Sequence, residues 1–186
     1  MSDLIDADGF RANVGIVLMH REQVFLGRRS GGRGWQFPQG GVRSGEGLEQ
    51  ALYRELEEEI GVGKAAVDLV GHTERWLRYR LPARYLRRNQ HPLCIGQKQR
   101  WFLLRLRSDD VAFDFGRTPQ PEFDHWRWVS YWEPVKEVIY FKRPVYARAL
   151  TELAGLAFPP DRQPPLPAWW DKVTARGRRE EPAAAD

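Results

Sequence analysis

Residues 40–62 read GGVRSGEGLEQALYRELEEEIGV, and this stretch decides the fold. From Gly47 to Ile60 the apolar residues Leu48, Leu52, Leu56 and Ile60 recur every four positions with Ala51 beside them. That is the period of a helix laying one apolar stripe on a core. Gly61 follows, where glycine commonly ends a helix. Glu55, Glu58 and Glu59 stand at i, i+3 and i+4, so the helix projects their carboxylates together beside the stripe. Like charges this close repel, and a hard, oxygen-seeking dication such as Mg2+ or Mn2+ relieves the repulsion. Such an ion can activate water, orient phosphates and neutralise a departing group. Arg54, four residues before Glu58, is expected to hold that carboxylate by a bidentate contact. Gly40 and Gly41 open a loop whose backbone can approach metal or phosphate closely, ahead of a helix N-terminus that favours anions. Glu57 points off this face and reads as a solvated charge. An ordinary glutamate-rich surface helix would leave the glycines at both ends and the placement of Arg54 unexplained.

Working outward, Asn13–His20 and Gln23–Arg28 read as two strands around a polar turn, followed by a glycine-rich loop at Ser30–Gly34 and an aromatic strand end at Trp35–Pro38. Val67–Gly71, Trp76–Leu81, Arg100–Arg107 and Trp126–Val129 read as further strands. Trp132–Val138 and Arg143–Leu153 read as helices, with Pro144 in a first turn where its missing amide hydrogen is harmless. The alternation of strands and helices predicts an α/β chain with one domain over residues 5–156. Residues 157–186, rich in proline and alternating charge, are expected to form a flexible tail, with Trp169-Trp170 able to dock on the domain or on a partner.

Composition agrees with one folded domain: 186 residues, 42% apolar, with eight tryptophans, nine phenylalanines and six tyrosines. The lone cysteine, Cys94, cannot form an internal disulfide, and the acidic start lacks the layout of a secretory signal; a cytoplasmic protein with no membrane association is expected. Net charge is +4, with acids crowded into residues 46–59 and bases into residues 75–107 and the tail. That separation suits an enzyme using metal cations on a polyanion, although solvated surface charge is the plain alternative. Arg75, Arg78, Arg80, Arg84, Arg87 and Arg88, set among Trp76, Tyr79 and Tyr85, could track an RNA backbone or simply face solvent.

Gly40, Glu46, Arg54, Glu55, Leu56, Glu58, Glu59, Gly61 and Val62 satisfy every specified position of the Nudix box, G-x5-E-x7-R-E-U-x-E-E-x-G-U with U apolar. At about one in fifteen per fixed residue, chance would produce this in fewer than roughly one chain in a million. Outside the box, GFRANVGIVL, WQFPQGG, WLRYRLP, CIGQKQRWFLL, PEFDHWRWVSYWEPV and FKRPVY resemble, in collinear order, the bacterial RNA 5′-pyrophosphohydrolase family, whose members have also been described as dinucleoside polyphosphate hydrolases. The resemblance implies a Nudix fold, an α/β/α sandwich around a mixed sheet, and removal of pyrophosphate from 5′-triphosphorylated RNA (or of phosphate from a diphosphorylated end), which opens the transcript to decay. It implies Glu55, Glu58, Glu59 and Glu122 as ligands of Mg2+ or Mn2+. It sets Arg29 and Phe141 on two sides of an RNA base, with Ile139 and Lys142 nearby, and Arg11, Gln39, Tyr79, Gln97 and Lys98 near the phosphates. Gly40, Glu46 and Arg54 would support the site. Phe141 could instead be plain core, and Arg29, Lys142 and Glu122 plain surface charges. Dinucleoside polyphosphates, such as diadenosine tetraphosphate, need the same chemistry and are the rival substrate. A mononucleotide cleanser or a non-catalytic binding module fits less of the pattern.

Overall fold

The computed structural model describes residues 4–89 and 91–178. In chain order its elements are β1 (Phe10–His20), β2 (Gln23–Arg29), β3 (Trp35–Gln36), β4 (Gln39–Gly41), α1 (Leu48–Ile60), β5 (Val67–His72), β6 (Leu77–Arg80), β7 (Gly96–Leu106), β8 (Phe123–Ser130), α2 (Glu133–Glu137), α3 (Arg143–Ala157) and α4 (Trp170–Arg178). Among the described residues the strands form one eight-stranded sheet in which β1 and β7 run parallel and the other pairings are antiparallel. The sheet is therefore mixed, as expected.

Its centre is apolar on both faces, because helices cover both. Successive side chains of a strand point to opposite faces. Val14, Ile16 and Leu18 of β1 thus join Phe102 and Leu104 of β7 in one core with Leu52, Leu56 and Ile60 of α1. Val17 and Met19 join Trp101 and Leu103 in a second core with Val145, Leu150 and Leu153 of α3. Gly15 lies among them without a side chain, since a Cβ there would stand 2.6 Å from the Trp101 ring. Helix α1 ends as read: Gly61 adopts φ 72°, and its N–H donates to the Glu57 carbonyl.

Three local readings change. Gly40 and Gly41, read as a loop, lie in strand β4, with Val14 opposite Gly40 and Asn13 opposite Gly41. Strand β7 begins at Gly96 rather than Arg100, because the polar run Gly96–Gln99 finds a parallel ladder against β1. The third concerns the stretch after Phe158. Residues 159–168 form no helix or strand, but the Trp132 Nε1–H donates to the Pro164 carbonyl at 3.0 Å. Helix α4 then lays Trp170 edge-on to Trp132, 5.1 Å between ring centres, and packs against α2, α3 and the single turn Tyr140–Lys142. Proline needs no partner for an amide hydrogen, so this strand-free strap can follow the surface until two tryptophans anchor it. The final alanines of the chain lie outside the described residues.

No helix among the described residues is long and apolar enough to cross a membrane. Leu52 is fully buried, so Leu52→Ala should lower stability by about 2–5 kcal/mol in urea denaturation. Leu166 is 54% exposed, and Leu166→Ala should change it by less than about 0.5 kcal/mol.

Candidate active site

The site begins where β4 crosses α1. A Cβ on Gly40 would stand 1.8 Å from the Glu55 carboxyl carbon, so only glycine lets the strand pass over that carboxylate. Arg54 then ties the segment together. Its Nε and Nη2 grip Glu46 at 2.6 and 2.9 Å, Nη1 donates to Glu55 at 2.5 Å and to Glu58 at 3.2 Å, and Nη2 also donates to the Gly41 carbonyl at 2.8 Å. The expected bidentate partner was Glu58; it is Glu46, because a guanidinium fork meets a carboxylate squarely from across the loop more readily than along one helix turn. The hydrogen bond from Arg54, reinforced by the Arg43 N–H, holds the Glu46 carboxyl below its usual range.

The three helix carboxylates occupy different surroundings. Glu55 is buried, and burial pushes its carboxyl up despite the Arg54 contact. Glu59 receives the Gln39 N–H of β4 at 2.9 Å; burial, then the charges of Glu55 and Glu122, raise it well above the ordinary carboxylate value. Glu58 turns outward to Arg43, at 3.2 Å, as well as to Arg54. Glu57 is exposed, as read.

The facing wall comes from β2, β3, the loop before β8 and the turn before α3. Arg29 Nε donates to Glu122 Oε1 at 2.7 Å. The same oxygen accepts Gln36 Nε2 at 3.1 Å, and Gln36 Oε1 accepts the Lys142 ammonium at 3.2 Å. Gln36 and Lys142 are both buried, and burial, with Arg29 nearby, lowers Lys142 to about 8. Beneath lies a polar floor in which the buried Gln99 side-chain amide donates to Asn13 Oδ1 at 2.8 Å.

Glu55, Glu59, Arg29, Gln36, Glu122, Lys142 and Asn13 line one cleft of about 590 Å3. Of the residues expected at the site, it brings together Arg11, Arg29, Gln39, Gly40, Glu55, Glu59, Tyr79, Gln97, Glu122, Ile139, Phe141 and Lys142. Glu46, Arg54 and Glu58 are not among its lining residues, and Glu58, expected as a metal ligand, turns to Arg43 instead. Lys98 is not brought in. It sits opposite Ala12 in the ladder, on the α1 face, where it pairs with Asp6 at 2.8 Å and lies over Trp76. Strand alternation turns Gln97 and Gln99 to the cleft and Lys98 away from it. Tyr79 borders the cleft but is buried beside Phe141 and under Lys142, 5.7 Å from its ring centre. The bases of the arginine-rich stretch divide likewise: Arg78 and Arg80 flank Phe10, whereas Arg87 reaches the cleft.

Sequence reasoning missed Gln36, Asn13 and Gln99. Asn13 and Gln36 are lone polar residues set among apolar ones, a signal that marks a buried hydrogen-bonded group or a site wall, whereas Gln99 is hidden in the polar run before the apolar part of β7. It also missed Arg33, from the glycine-rich loop, and Trp35, at the start of β3, both of which line the cleft.

Among the described residues no three His, Cys, Asp or Glu side chains converge as a ready metal cage. Glu58 stands at Arg43 and Glu122 at Arg29. The donor chemistry nevertheless fits a hard dication: carboxylate oxygens, two of them on desolvated glutamates that repel each other, around a glycine strand with no side chain in the way.

The NUDIX domain profile matches residues 9–149. Among the relatives, the RNA pyrophosphohydrolase of Alkalilimnicola ehrlichii is 55% identical over 166 residues, 88% of this chain and 92% of its own length. That of Marinomonas sp. is 57% identical, covering 81% and 94%. Among solved structures, the E. coli dihydroneopterin triphosphate pyrophosphohydrolase superposes with a TM-score of 0.60 at 18% identity, covering 75% of this chain and 94% of that one. A C. elegans Ap4A hydrolase gives 0.57 at 20%, covering 77% and 98%. At these identities the two structures speak to the fold. The chain belongs to the Nudix family.

The Arg54–Glu46 contact sets a pH dependence of stability. A carboxyl whose folded pKa is depressed contributes stability above its unfolded value of 4.5, and that contribution fades as pH falls through the lower folded value. Glu46→Gln should therefore cost about 1–3 kcal/mol at neutral pH. The gap to the unsubstituted protein should close progressively below pH 4.5 in paired denaturation curves.

Proposed function

We propose that this member of the Nudix family removes pyrophosphate from the 5′ end of triphosphorylated RNA, and phosphate from a diphosphorylated end, leaving a monophosphate that opens the transcript to decay. One observation carries this reading: a single cleft unites Glu55, Glu59 and Glu122 with the cations Arg11, Arg29 and Arg33 and with Phe141. An acidic end suits metal-assisted cleavage of an anhydride, the guanidinium groups suit phosphates, and a partly buried ring at the cleft wall suits an unpaired base. This lining extends beyond what a mononucleotide requires. The activity named for relatives above 50% identity supports the same substrate.

Glu55, Glu58, Glu59 and Glu122 would hold Mg2+ or Mn2+. When bound, the cation supplies the positive charge that lowers the pKa of water and offsets charge on the departing pyrophosphate. The chain's own residues do the rest. Arg11, Gln39 and Gln97 receive the polyphosphate at the cleft floor and hold it for in-line attack. Water attacks phosphorus as the bond to the leaving pyrophosphate oxygen breaks, giving one monophosphate end and one pyrophosphate. Gly40 keeps the backbone clear of Glu55, and Arg54 fixes the helix against that strand through the Gly41 carbonyl and holds the preceding loop through Glu46. Arg29 and Phe141 hold a base between a guanidinium plane and a ring, with Ile139 and Lys142 closing the wall; Glu122 orients Arg29.

The test is RNA with a labelled 5′ triphosphate beside diadenosine tetraphosphate and free nucleoside triphosphates, each with and without Mg2+. The RNA should release labelled pyrophosphate only with the metal. Faster turnover of the dinucleotide at equal concentration would transfer the assignment to dinucleoside polyphosphates, and no cleavage of any substrate would end the enzymatic reading. Glu58→Gln should lower kcat by about 100-fold or more with an unchanged melting temperature. Phe141→Ala should reduce kcat/KM for RNA by about 5- to 100-fold, the equivalent of one lost base stack, while sparing the dinucleotide.

A further inference from the structure

Past Phe141 the cleft continues onto residues that neither the metal chemistry nor the Arg29–Phe141 clamp uses. Tyr85 lines it, and its ring centre lies 5.0 Å from that of Phe141, tilted by 50°. Phe141 in turn lies 5.9 Å from Tyr79. Exposure rises along this series: Tyr79 is 3% exposed, Phe141 partly buried and Tyr85 40% exposed. The three rings therefore run from the floor of the cleft to its rim.

Tyr85 is held rather than loose. It closes the single helical turn Ala83–Tyr85, its N–H donating to the Pro82 carbonyl at 2.8 Å. The Arg84 guanidinium lies over Tyr85 at 5.0 Å and over Tyr140 at 5.5 Å, and donates to the Tyr140 hydroxyl at 3.0 Å. Arg87 lines the cleft from the same segment. A large ring fixed in place, still open to solvent and set between cations, matches the platforms on which single-stranded nucleic acid stacks. A lid over Phe141 alone would not require an exposed face, nor an arginine bridging two tyrosines behind it.

A base sandwiched between two rings needs about 7 Å between them, two van der Waals contacts. The 5.0 Å between Phe141 and Tyr85 leaves no such room, so the two rings cannot share one base. We infer that Tyr85, braced by Arg84, is a separate stacking subsite for the unpaired base that follows the one at Phe141, with Arg87 at the adjoining phosphate. The inference rests on the RNA reading above. It makes the enzyme sensitive to whether that next nucleotide is free of secondary structure.

The test is a length series of 5′-triphosphorylated RNAs, from one nucleotide upward, cleaved by the unsubstituted protein and by Phe141→Ala, Tyr85→Ala, Tyr85→Phe and Tyr85→Trp. The Phe141→Ala loss should first appear at some length, and the Tyr85→Ala loss, about 5- to 20-fold and carried by KM, should first appear one nucleotide later. Tyr85→Phe and Tyr85→Trp, which keep a ring, should restore KM. A 2-aminopurine at that added position should lose fluorescence on binding to the unsubstituted protein and keep it with Tyr85→Ala. Onset of both losses at the same length, an equal loss on every substrate, or no loss at any length would overturn the subsite. RNA cleaved by the unsubstituted protein while Tyr85→Ala behaves identically removes the subsite alone; no RNA cleavage at any length removes the reading beneath it.

Discussion

The guanidinium of Arg54 is the joint on which the catalytic end of this molecule depends. It reaches the loop before α1 through Glu46, the neighbouring strand through the Gly41 carbonyl, and two helix carboxylates, Glu55 and Glu58. One planar cation thus spans loop, strand and helix, all of which must keep register for acidic side chains to stand together. Mutual repulsion among those acids opposes folding, and their concentration in one helix face is tolerable because a charge that cannot titrate away sits at its centre. The bulk of α1 is held by other means, the burial of Leu52, Leu56 and Ile60 against the sheet. Packing supplies most of the stability of α1, and the guanidinium adds placement to its own smaller share.

The rest of the cleft follows from how the sheet is covered. Helix α1 brings its carboxylates from one side, while the turn Tyr140–Lys142, with Ile139 just before it, brings Ile139, Phe141 and Lys142 from the other. The floor between them is the polar start of β1 and β7, where Arg11, Asn13, Gln97 and Gln99 replace the apolar residues farther along the same strands. A sheet buried on both faces can carry such a wet end only where polar groups satisfy one another, as Asn13 and Gln99 do.

Much of this was legible in the sequence because periodicity and spacing report on what lies close along the chain. The α1 stripe and the Gly61 stop are local, and the structure has them where the pattern put them; of the three carboxylates read onto one face, Glu55 and Glu59 line the cleft while Glu58 turns to Arg43. What escaped was long-range. Gln36 gains its meaning from Lys142 and Glu122, 106 and 86 positions away, and nothing near Trp35 announces that pairing. Lys98 looked like one more cation beside Gln97, yet strand parity sends it to the opposite face. The preference of Arg54 for Glu46 over Glu58 depends on a loop path that no repeat encodes. The stretch after Phe158 reads as loose except at Trp169-Trp170, and Trp170 does meet the domain, at Trp132 across 38 positions of chain, a partner that composition could not name.

The parallel ladder between β1 and β7 has a kinetic consequence. It joins residues such as Asn13 and Gln99, 86 positions apart, whereas the β1–β2 hairpin and helix α1 close over short stretches. Non-local pairing must meet its loop-closure entropy before its contacts form, so it is the slow step of assembly in folds of this kind. The floor of the cleft is built from that ladder. The hairpin and helix α1 therefore rest on short-range closure, whereas the floor of the cleft rests on a long one, so the part of the fold that shapes the cleft is the part with the larger entropic cost of assembly.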